Sequence, residues 1–265
     1  MTTQIKTKTR IFNISSRNSI NGSYKSQVSV SLPDLNFSNS NIQNVYLSVL
    51  HCEVPNSFYI VNYTNNSIVI NNITYTLIKG NYSATSFITM LLSLLPSGYT
   101  ITYSNTTNKY TMTYSSNFTI NCSNPNCKIN SVMGLGSIDI SSTLFTLEFP
   151  YSVNFLPLPR INFKSDAFKL ANFNQSDNSS NIFMSLQNNA PQMGCINYQS
   201  NNSIKFSIED KYITAFTISA TDDFGNLINF NNVDWYICFS IDIQYVELVK
   251  QLDFNTLISQ QNFQY

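Results

Sequence analysis

Apolar and polar residues alternate most regularly near the C-terminus, with the period of two that is typical of a half-buried β-strand. The segment 211–220 shows the same period less regularly, and residues 222–226 between the two segments favour a turn. These strands are predicted to close a β-sandwich, because each has an apolar face that must be covered. The face predicted to point into the core is formed by Trp235, Ile237, Phe239, Ile241 and Ile243.

Shorter alternating segments elsewhere in the chain are also predicted to be strands. Two precede residue 63, at 27–32 and 45–54, and each ends beside a proline, which cannot donate a hydrogen bond to a β-ladder. With the closing pair and four later segments they make eight strands, the number that a jelly roll requires. The four later segments are 144–149, 160–164, 182–186 and 204–208.

A different pattern occupies residues 63–137. A hairpin is predicted to turn at Asn71 and Asn72, and Ser83 is a candidate N-cap for one amphipathic helix that ends before Pro96. A second predicted hairpin follows the helix, at 99–114. Hairpin, helix and hairpin together indicate a compact α+β unit. The apolar residues at helical spacing are Phe87, Met90, Leu91, Leu94 and Leu95.

The predicted fold class is therefore mainly β: an eight-stranded single jelly-roll sandwich with an inserted small α+β domain. The terminal segments are polar, and we expect the first of them to be a flexible N-terminal arm. For the last segment the sequence leaves a helix and an extended arm equally open. The predicted divisions are the N-terminal arm at 1–24, the jelly roll at 25–62 and 138–246, the insert at 63–137 and the C-terminal tail at 247–265.

Composition changes this picture mainly through charge. Only 11% of residues are charged, with 14 basic and 14 acidic residues and a formal net charge of zero. Nucleic-acid binding is not expected, since it needs concentrated positive charge. No segment approaches the roughly 20 apolar residues of a membrane span. Low charge density favours assembly over a soluble monomeric state. An AT-rich genome would also produce such an asparagine- and isoleucine-rich composition.

Candidate chemistry is sparse in this sequence. His51 is the single histidine, and it lies beside Cys52 in a predicted strand, where adjacent side chains point to opposite faces. A structural histidine is therefore the favoured interpretation. Asp222 and Asp223 lack the ligand spacing of a calcium loop and are interpreted as part of a solvated turn. The sequence predicts no enzymatic activity, no cofactor and no metal.

Two of the five cysteines are separated by only four residues. Cys122 and Cys127 are interpreted as reduced, buried thiols, which is the default for thiols in apolar strands. A disulfide that clips the intervening loop and half of a metal site remain as alternatives. A second pair of ligands, which a complete zinc site would need, does not follow in the sequence.

Several motifs resemble those of penton proteins, which are minor capsid proteins, of Sputnik-like virophages. Near the N-terminus these are a Ser-Arg element within 11–18, a strand ending in Leu-Pro at 28–33, and Pro-Asn-Ser at a strand exit within 54–60. The run Gly80-Asn81-Tyr82-Ser83 resembles the entry to the inserted unit of the same proteins. The remaining motifs are the hairpin at 103–114, the turns at 133–136 and 223–225, and the strand at 233–237.

The resemblance implies a structural capsid protein that forms a homopentamer at icosahedral five-fold vertices, beside double-jelly-roll major capsid proteins. It implies location in the virion after synthesis in the host cytoplasm. The alternatives are a receptor-binding or fibre module of a virion and a glycan-binding lectin. If the N-terminal arm becomes ordered only on assembly, its contacts must offset the lost chain entropy. We expect these contacts to include Ile11, Phe12 and Arg17.

Overall fold

A computed structural model describes residues 2–31, 41–156, 158–166, 168, 181–201, 204–208, 213 and 215–249. The chain forms two compact units. Residues 58–159 make the second unit, and the chain on both sides of this segment makes the first. Leu32 of the predicted strand 27–32, parts of the predicted segment 211–220 and residues 250–265 of the predicted tail lie outside the described residues.

Strands dominate the described residues. The helices are α1 (Ala84–Leu94) and α2 (Asn130–Met133), and short 3-10 turns span Ser16–Asn18 and Gly22–Tyr24. The strands are β1 (Thr2–Ser15), β2 (Gln27–Ser31), β3 (Ile42–Pro55), β4 (Ser67–Ile70), β5 (Ile73–Thr76), β6 (Thr100–Ser104), β7 (Lys109–Thr113), β8 (Thr119–Ile120), β9 (Ile140–Ser141), β10 (Thr146–Glu148), β11 (Arg160–Ser165), β12 (Ile182–Gln187), β13 (Cys195–Gln199), β14 (Phe206–Ser207), β15 (Ala215–Thr221) and β16 (Tyr236–Val249).

The first unit is a jelly roll of two antiparallel sheets. One sheet has the order β1-β16-β3-β13, with β14 also paired to β3, and the other has the order β12-β11-β15-β2. The pairs are nested, because the first strand pairs with the last, β2 with β15, β3 with β13 and β14, and β11 with β12. Such nesting is produced by rolling up one long hairpin, and the predicted jelly-roll class is confirmed.

Aromatic side chains hold the two sheets together. The ring of Phe239 on β16 lies 5.9 Å from that of Phe216 on β15, and Trp235 lies 5.0 Å from Phe163 on β11. Trp235, Ile237 and Phe239 are all buried, so the predicted inward face of the last strand is confirmed. The two strands predicted to close the sandwich lie in opposite sheets and do not pair with each other.

The predicted flexible arm at 1–24 is wrong for the described residues, because Thr2–Ser15 forms β1 and pairs with β16 along its whole length. The segment is fixed by Phe12, which stacks on Phe239 at 5.2 Å, and by buried Ile14 and Ser16. Exposed positions fill most of the first half of β1. Because these positions need no apolar side chains, apolar and polar residues do not alternate there, and the sequence pattern does not indicate a strand.

Two further strand predictions need correction. The segment predicted as a jelly-roll strand at 144–149 contains β10, which pairs with β7 inside the second unit. A strand absent from the prediction, β13, occupies the edge of the first unit beside β3. β13 and β14 pair with successive parts of β3 and so share one edge position among the described strands.

The second unit begins and ends outside the predicted limits of 63–137, since it spans residues 58–159. Strands β9 and β10 pair with β8 and β7, which draws the chain after residue 137 into this unit. The predicted turn at Asn71 and Asn72 is confirmed, and both residues have the positive φ angles, 49° and 61°, of a type I′ turn. Ser83 caps α1 as predicted, through a capping box with Ser86.

Replacing Ile237 with alanine is expected to destabilise the first unit by about 2–5 kcal/mol, because the side chain is 0% exposed between two sheets. Denaturant unfolding followed by fluorescence of the single, buried Trp235 would measure this change. The matched control is Ile204→Ala, since Ile204 is 68% exposed. Equal unfolding midpoints for the two variants would contradict the assigned position of Ile237.

Candidate assembly surface

Among the described strands, β1 is the outermost strand of its sheet. Its 14 residues pair on one side with β16, and on the other side no strand of the described part of the chain pairs with it. Unpaired strand edges present backbone donors and acceptors that can pair with another chain. Since the predicted assembly residues Ile11 and Phe12 lie on this strand, it is the place to examine for contacts.

The predicted assembly residues do not share one face. Ile11 is 61% exposed on the outer face, whereas the neighbouring Phe12 points inward and stacks on Phe239. Arg17 is exposed in the 3-10 turn after β1, where its carbonyl oxygen accepts a hydrogen bond from Lys25 Nζ at 3.2 Å. The structure therefore brings Ile11 and Arg17 to the surface, and it gives Phe12 a contact within the chain.

Ser16 connects the end of β1 to the start of the last strand. Its buried hydroxyl accepts a hydrogen bond from the Trp235 N–H at 2.9 Å and donates one to Asp234 Oδ1 at 3.0 Å. The Trp235 indole N–H donates to the Lys25 carbonyl. A buried donor or acceptor that loses its partner is costly. This network therefore holds the segment from Ser16 to Lys25 against the sandwich.

Charged side chains on the two faces of β1 have different surroundings. On the outer face, Thr9 Oγ1 donates to Asp242 at 2.7 Å, and Lys205 Nζ reaches the same carboxylate at 2.8 Å. Burial alone would raise the pKa of Asp242, but the hydrogen bonds and the lysine charge outweigh it and lower the pKa below its ordinary value. Asp242 is therefore an ionised group that links β1 and β16 to Lys205, the residue before β14.

On the other face of β1, Lys6 forms a salt bridge with Glu247. The hydrogen bond to this carboxylate raises the pKa of Lys6. Lys8 and Arg10 lie on the same face as Lys6, since side chains two positions apart share a face. Among the described residues neither of them has an ion-pair partner.

His51 lies in β3 with its Nε2 3.1 Å from Glu53 Oε1. Cys52 between them is fully buried on the opposite face, and burial raises the pKa of its thiol. The predicted separation of His51 and Cys52 is confirmed. A thiol held neutral and facing away cannot form a nucleophile pair with this imidazole.

Cys122 and Cys127 are buried free thiols in the core of the second unit. Asn130 bridges them, because Cys127 Sγ donates to Asn130 Oδ1 and Asn130 Nδ2 donates to the Cys122 carbonyl, both at 3.0 Å. A hydrogen bond from the Cys122 thiol lowers the pKa of Cys127. Within the described ranges no cluster of three or more histidine, cysteine or acidic side chains could hold a metal ion.

The acidic turn at 222–223 has the structural role that was predicted. Asp222 Oδ1 accepts hydrogen bonds from the backbone N–H groups of Phe224 at 2.9 Å and Asn226 at 2.8 Å. Asp223 forms a salt bridge with Arg160 at 3.2 Å. Both carboxylates are therefore engaged by groups of the chain itself, as in other aspartate-initiated turns.

Sequence reasoning did not predict the importance of Asn56. Its buried amide Nδ2 donates to the carbonyl groups of Ala190 at 2.8 Å and Pro191 at 3.2 Å, and its backbone N–H donates to the Gly194 carbonyl at 2.8 Å. The amide thus satisfies backbone groups of a distant loop. The available signal was an asparagine directly after a strand that ends in proline.

Solved structures similar to this chain include a crystal structure of the mavirus penton protein and a 3.5 Å cryo-EM structure of the Sputnik virophage. Each shares 12% sequence identity and a TM-score of 0.46 with this chain and covers 89% of it. The matches include 99% of the mavirus chain and 97% of the Sputnik chain. No protein-family model matches the chain, and neither does any curated protein. Among the described helices none is long and apolar enough to cross a membrane.

Replacing Asp242 with asparagine is expected to reduce stability most at neutral pH. Because the folded pKa lies below the ordinary value of 3.8, the carboxylate contributes stability above that value, and this contribution is lost as the pH falls through the folded pKa. The difference in unfolding free energy between wild type and variant should therefore shrink in acid. Urea unfolding at a series of pH values measures it, and a pH-independent difference would contradict the assignment.

Substitutions of the neighbouring residues Ile11 and Phe12 should change the unfolding free energy by different amounts. Ile11→Thr keeps a β-branched side chain at an exposed site and should change the unfolding free energy by less than about 0.5 kcal/mol. Phe12→Ala removes the stacking on Phe239 and should cost about 1–3 kcal/mol. Denaturant unfolding would compare them. Equal effects would show that β1 does not lie against the sandwich in the described register.

Proposed function

We propose that this chain is a structural capsid protein that forms the pentameric penton at the five-fold vertices of a virus or virophage particle. The observation that carries the proposal is the location of the motifs that resemble virophage penton proteins. Their polar residues and glycines lie at positions that determine this jelly roll and its inserted unit. The proposed role is structural and not enzymatic.

The Pro-Asn-Ser motif illustrates this for the first unit. It ends β3 at Pro55, and Asn56 then binds the loop before β13. The buried Ser57 hydroxyl donates to the Phe230 carbonyl at 2.7 Å, in the segment before β16. Three connections of the sandwich are thus tied together at the point where the inserted unit begins. The motif thus helps to hold the connections of the jelly roll in place.

The motifs of the inserted unit have similar functions. Asn81 Oδ1 accepts a hydrogen bond from the Ile60 N–H at 2.9 Å, and Ser83 caps α1. Gly134 has a φ of 73°, and a Cβ there would lie 2.2 Å from the Tyr151 carbonyl oxygen, so only glycine fits. These residues define how the insert begins and how its later turn packs. The likeness therefore concerns the architecture of the insert.

The surface of the first unit also suits assembly. Large apolar side chains, among them Ile11, Met193 and Phe224, are exposed on it, while the chain has few charges with which to repel another subunit. Interface cores are depleted in charged residues and enriched in aromatic residues and methionine. We propose homopentamer contacts and contacts to neighbouring double-jelly-roll major capsid proteins on this surface. Ile11 and Arg17 would make direct contacts, and Phe12 would hold β1 in position.

Location in the virion, after synthesis in the cytoplasm of the infected cell, follows from this proposal. Light scattering of the purified chain with its capsid partners and cryo-EM of reconstituted particles would test it. A density for this protein at the five-fold vertices is the expected result. A chain that stays monomeric and is absent from vertices would contradict it, as would saturable glycan binding without incorporation, the behaviour of a lectin.

Ile11→Lys should reduce incorporation into particles severalfold, because a lysine on an edge strand opposes burial against another chain. Its matched control is Ile73→Lys in the second unit, where Ile73 is 56% exposed. Incorporation is measured by quantitative gel analysis of purified particles. Equal incorporation of the Ile11→Lys and Ile73→Lys variants would show that Ile11 is not part of the proposed interface.

A further inference from the structure

The backbone of β1 has a defined direction at its open edge. The Ser16 N–H donates to the Trp235 carbonyl, and this pair continues the β1–β16 register, which has no bulge. Backbone groups alternate in direction along an antiparallel strand. Even-numbered residues of β1 therefore direct their N–H and C=O groups to β16. Odd-numbered residues, such as Thr7 and Ile11, direct theirs to the open edge.

The side chains beside this edge are basic on one face. Lys6, Lys8 and Arg10 occupy alternate positions of β1 and form a row, which we call the basic row. Lys6 is neutralised by Glu247, whereas Lys8 and Arg10 are not paired within the described residues. An added strand would place its own alternate side chains next to this row. Acidic side chains at every second position would complement it.

A second copy of this chain does not supply such a strand. The sequence contains 14 acidic residues, and no two of them are separated by a single residue. Pairing of two β1 strands would instead bring two basic rows together, which is unfavourable between opposite side chains. Lysines on edge strands are a common means of preventing such self-association. The open edge of β1 therefore disfavours pairing with β1 of a second copy of this chain.

We propose that the open edge of β1 binds an extended segment of a different protein, which adds as a further strand and carries acidic side chains at alternate positions. The main-chain hydrogen bonds come from the odd-numbered residues of β1, and selectivity comes from Lys8 and Arg10. On the other face the added strand lies beside Ile11, where an apolar residue fits. This inference goes beyond the penton role, since it specifies the chemistry of a partner segment.

The test uses the full-length chain and a fluorescent synthetic peptide in which glutamate alternates with valine. A peptide with lysine in place of glutamate is the control probe. Fluorescence anisotropy should show binding of the glutamate peptide, weakened by added salt, and none of the lysine peptide. Hydrogen exchange measured by mass spectrometry should show new protection in β1 when the glutamate peptide is added. Absence of binding, or equal binding of the two peptides, would overturn the proposal.

Two matched pairs of variants locate the site. Thr7→Pro removes an outward N–H without breaking the ladder to β16 and should weaken binding by roughly tenfold or more, whereas Thr7→Ala should not. Lys8→Glu should weaken it by roughly tenfold, whereas Lys128→Glu in the second unit should not. Unchanged affinity in both Thr7→Pro and Lys8→Glu would overturn the proposal.

Two further results keep the test decisive. Unfolding followed by Trp235 fluorescence checks that the variants are folded. If Thr7→Pro is not folded, the protection of β1 from hydrogen exchange in the unmodified chain shows whether the peptide binds at this edge. Self-association that requires β1 and is not competed by the glutamate peptide would assign the edge to a second copy and overturn the proposal. A negative peptide result leaves vertex incorporation unaffected, so failure of this inference and failure of the penton role are distinguishable.

Discussion

The first unit depends on β16, a strand of one sheet whose inward side chains pack against the other sheet. It is hydrogen-bonded on one edge to β1 and on the other to β3, and its inward residues meet the opposite sheet. Phe239 alone lies within ring contact of Phe12, Phe168, Phe183 and Phe216. Loss of this strand would leave β1 without any partner in the described chain. The sandwich is therefore organised around its last strand and not around its first.

Local chemistry made the second unit the most predictable part of the chain. The turn at Asn71 and Asn72 and the cap at Ser83 are each determined by residues within a few positions, and both were predicted. The amphipathic spacing of α1 is likewise a local signal. Such elements can be inferred from one sequence because they do not depend on distant pairing.

Long-range pairing explains what the sequence did not reveal. Strand β1 has few buried positions, so it lacks the alternation by which β16 was recognised, and only its partner defines it. The segment 144–149 has a strand pattern that fits either unit, and pairing with β7 decides which. Of the predicted assembly residues, Ile11 and Arg17 are at the surface. Phe12 is half-buried because its face of the strand is covered by the stacking on Phe239.

The pairing of Thr2 with Val249 has a consequence for how the chain acquires its structure. During synthesis β1 emerges before β16, and all the residues between Ser15 and Tyr236 must be made before the two strands can pair. Contacts of such large sequence separation form slowly, whereas the local hairpins and helix of the inserted unit can form early. Until closure, β1 has two open edges. The polar and basic residues in the first half of β1 thus also protect the nascent chain from aggregation until β16 has been made and pairs with β1.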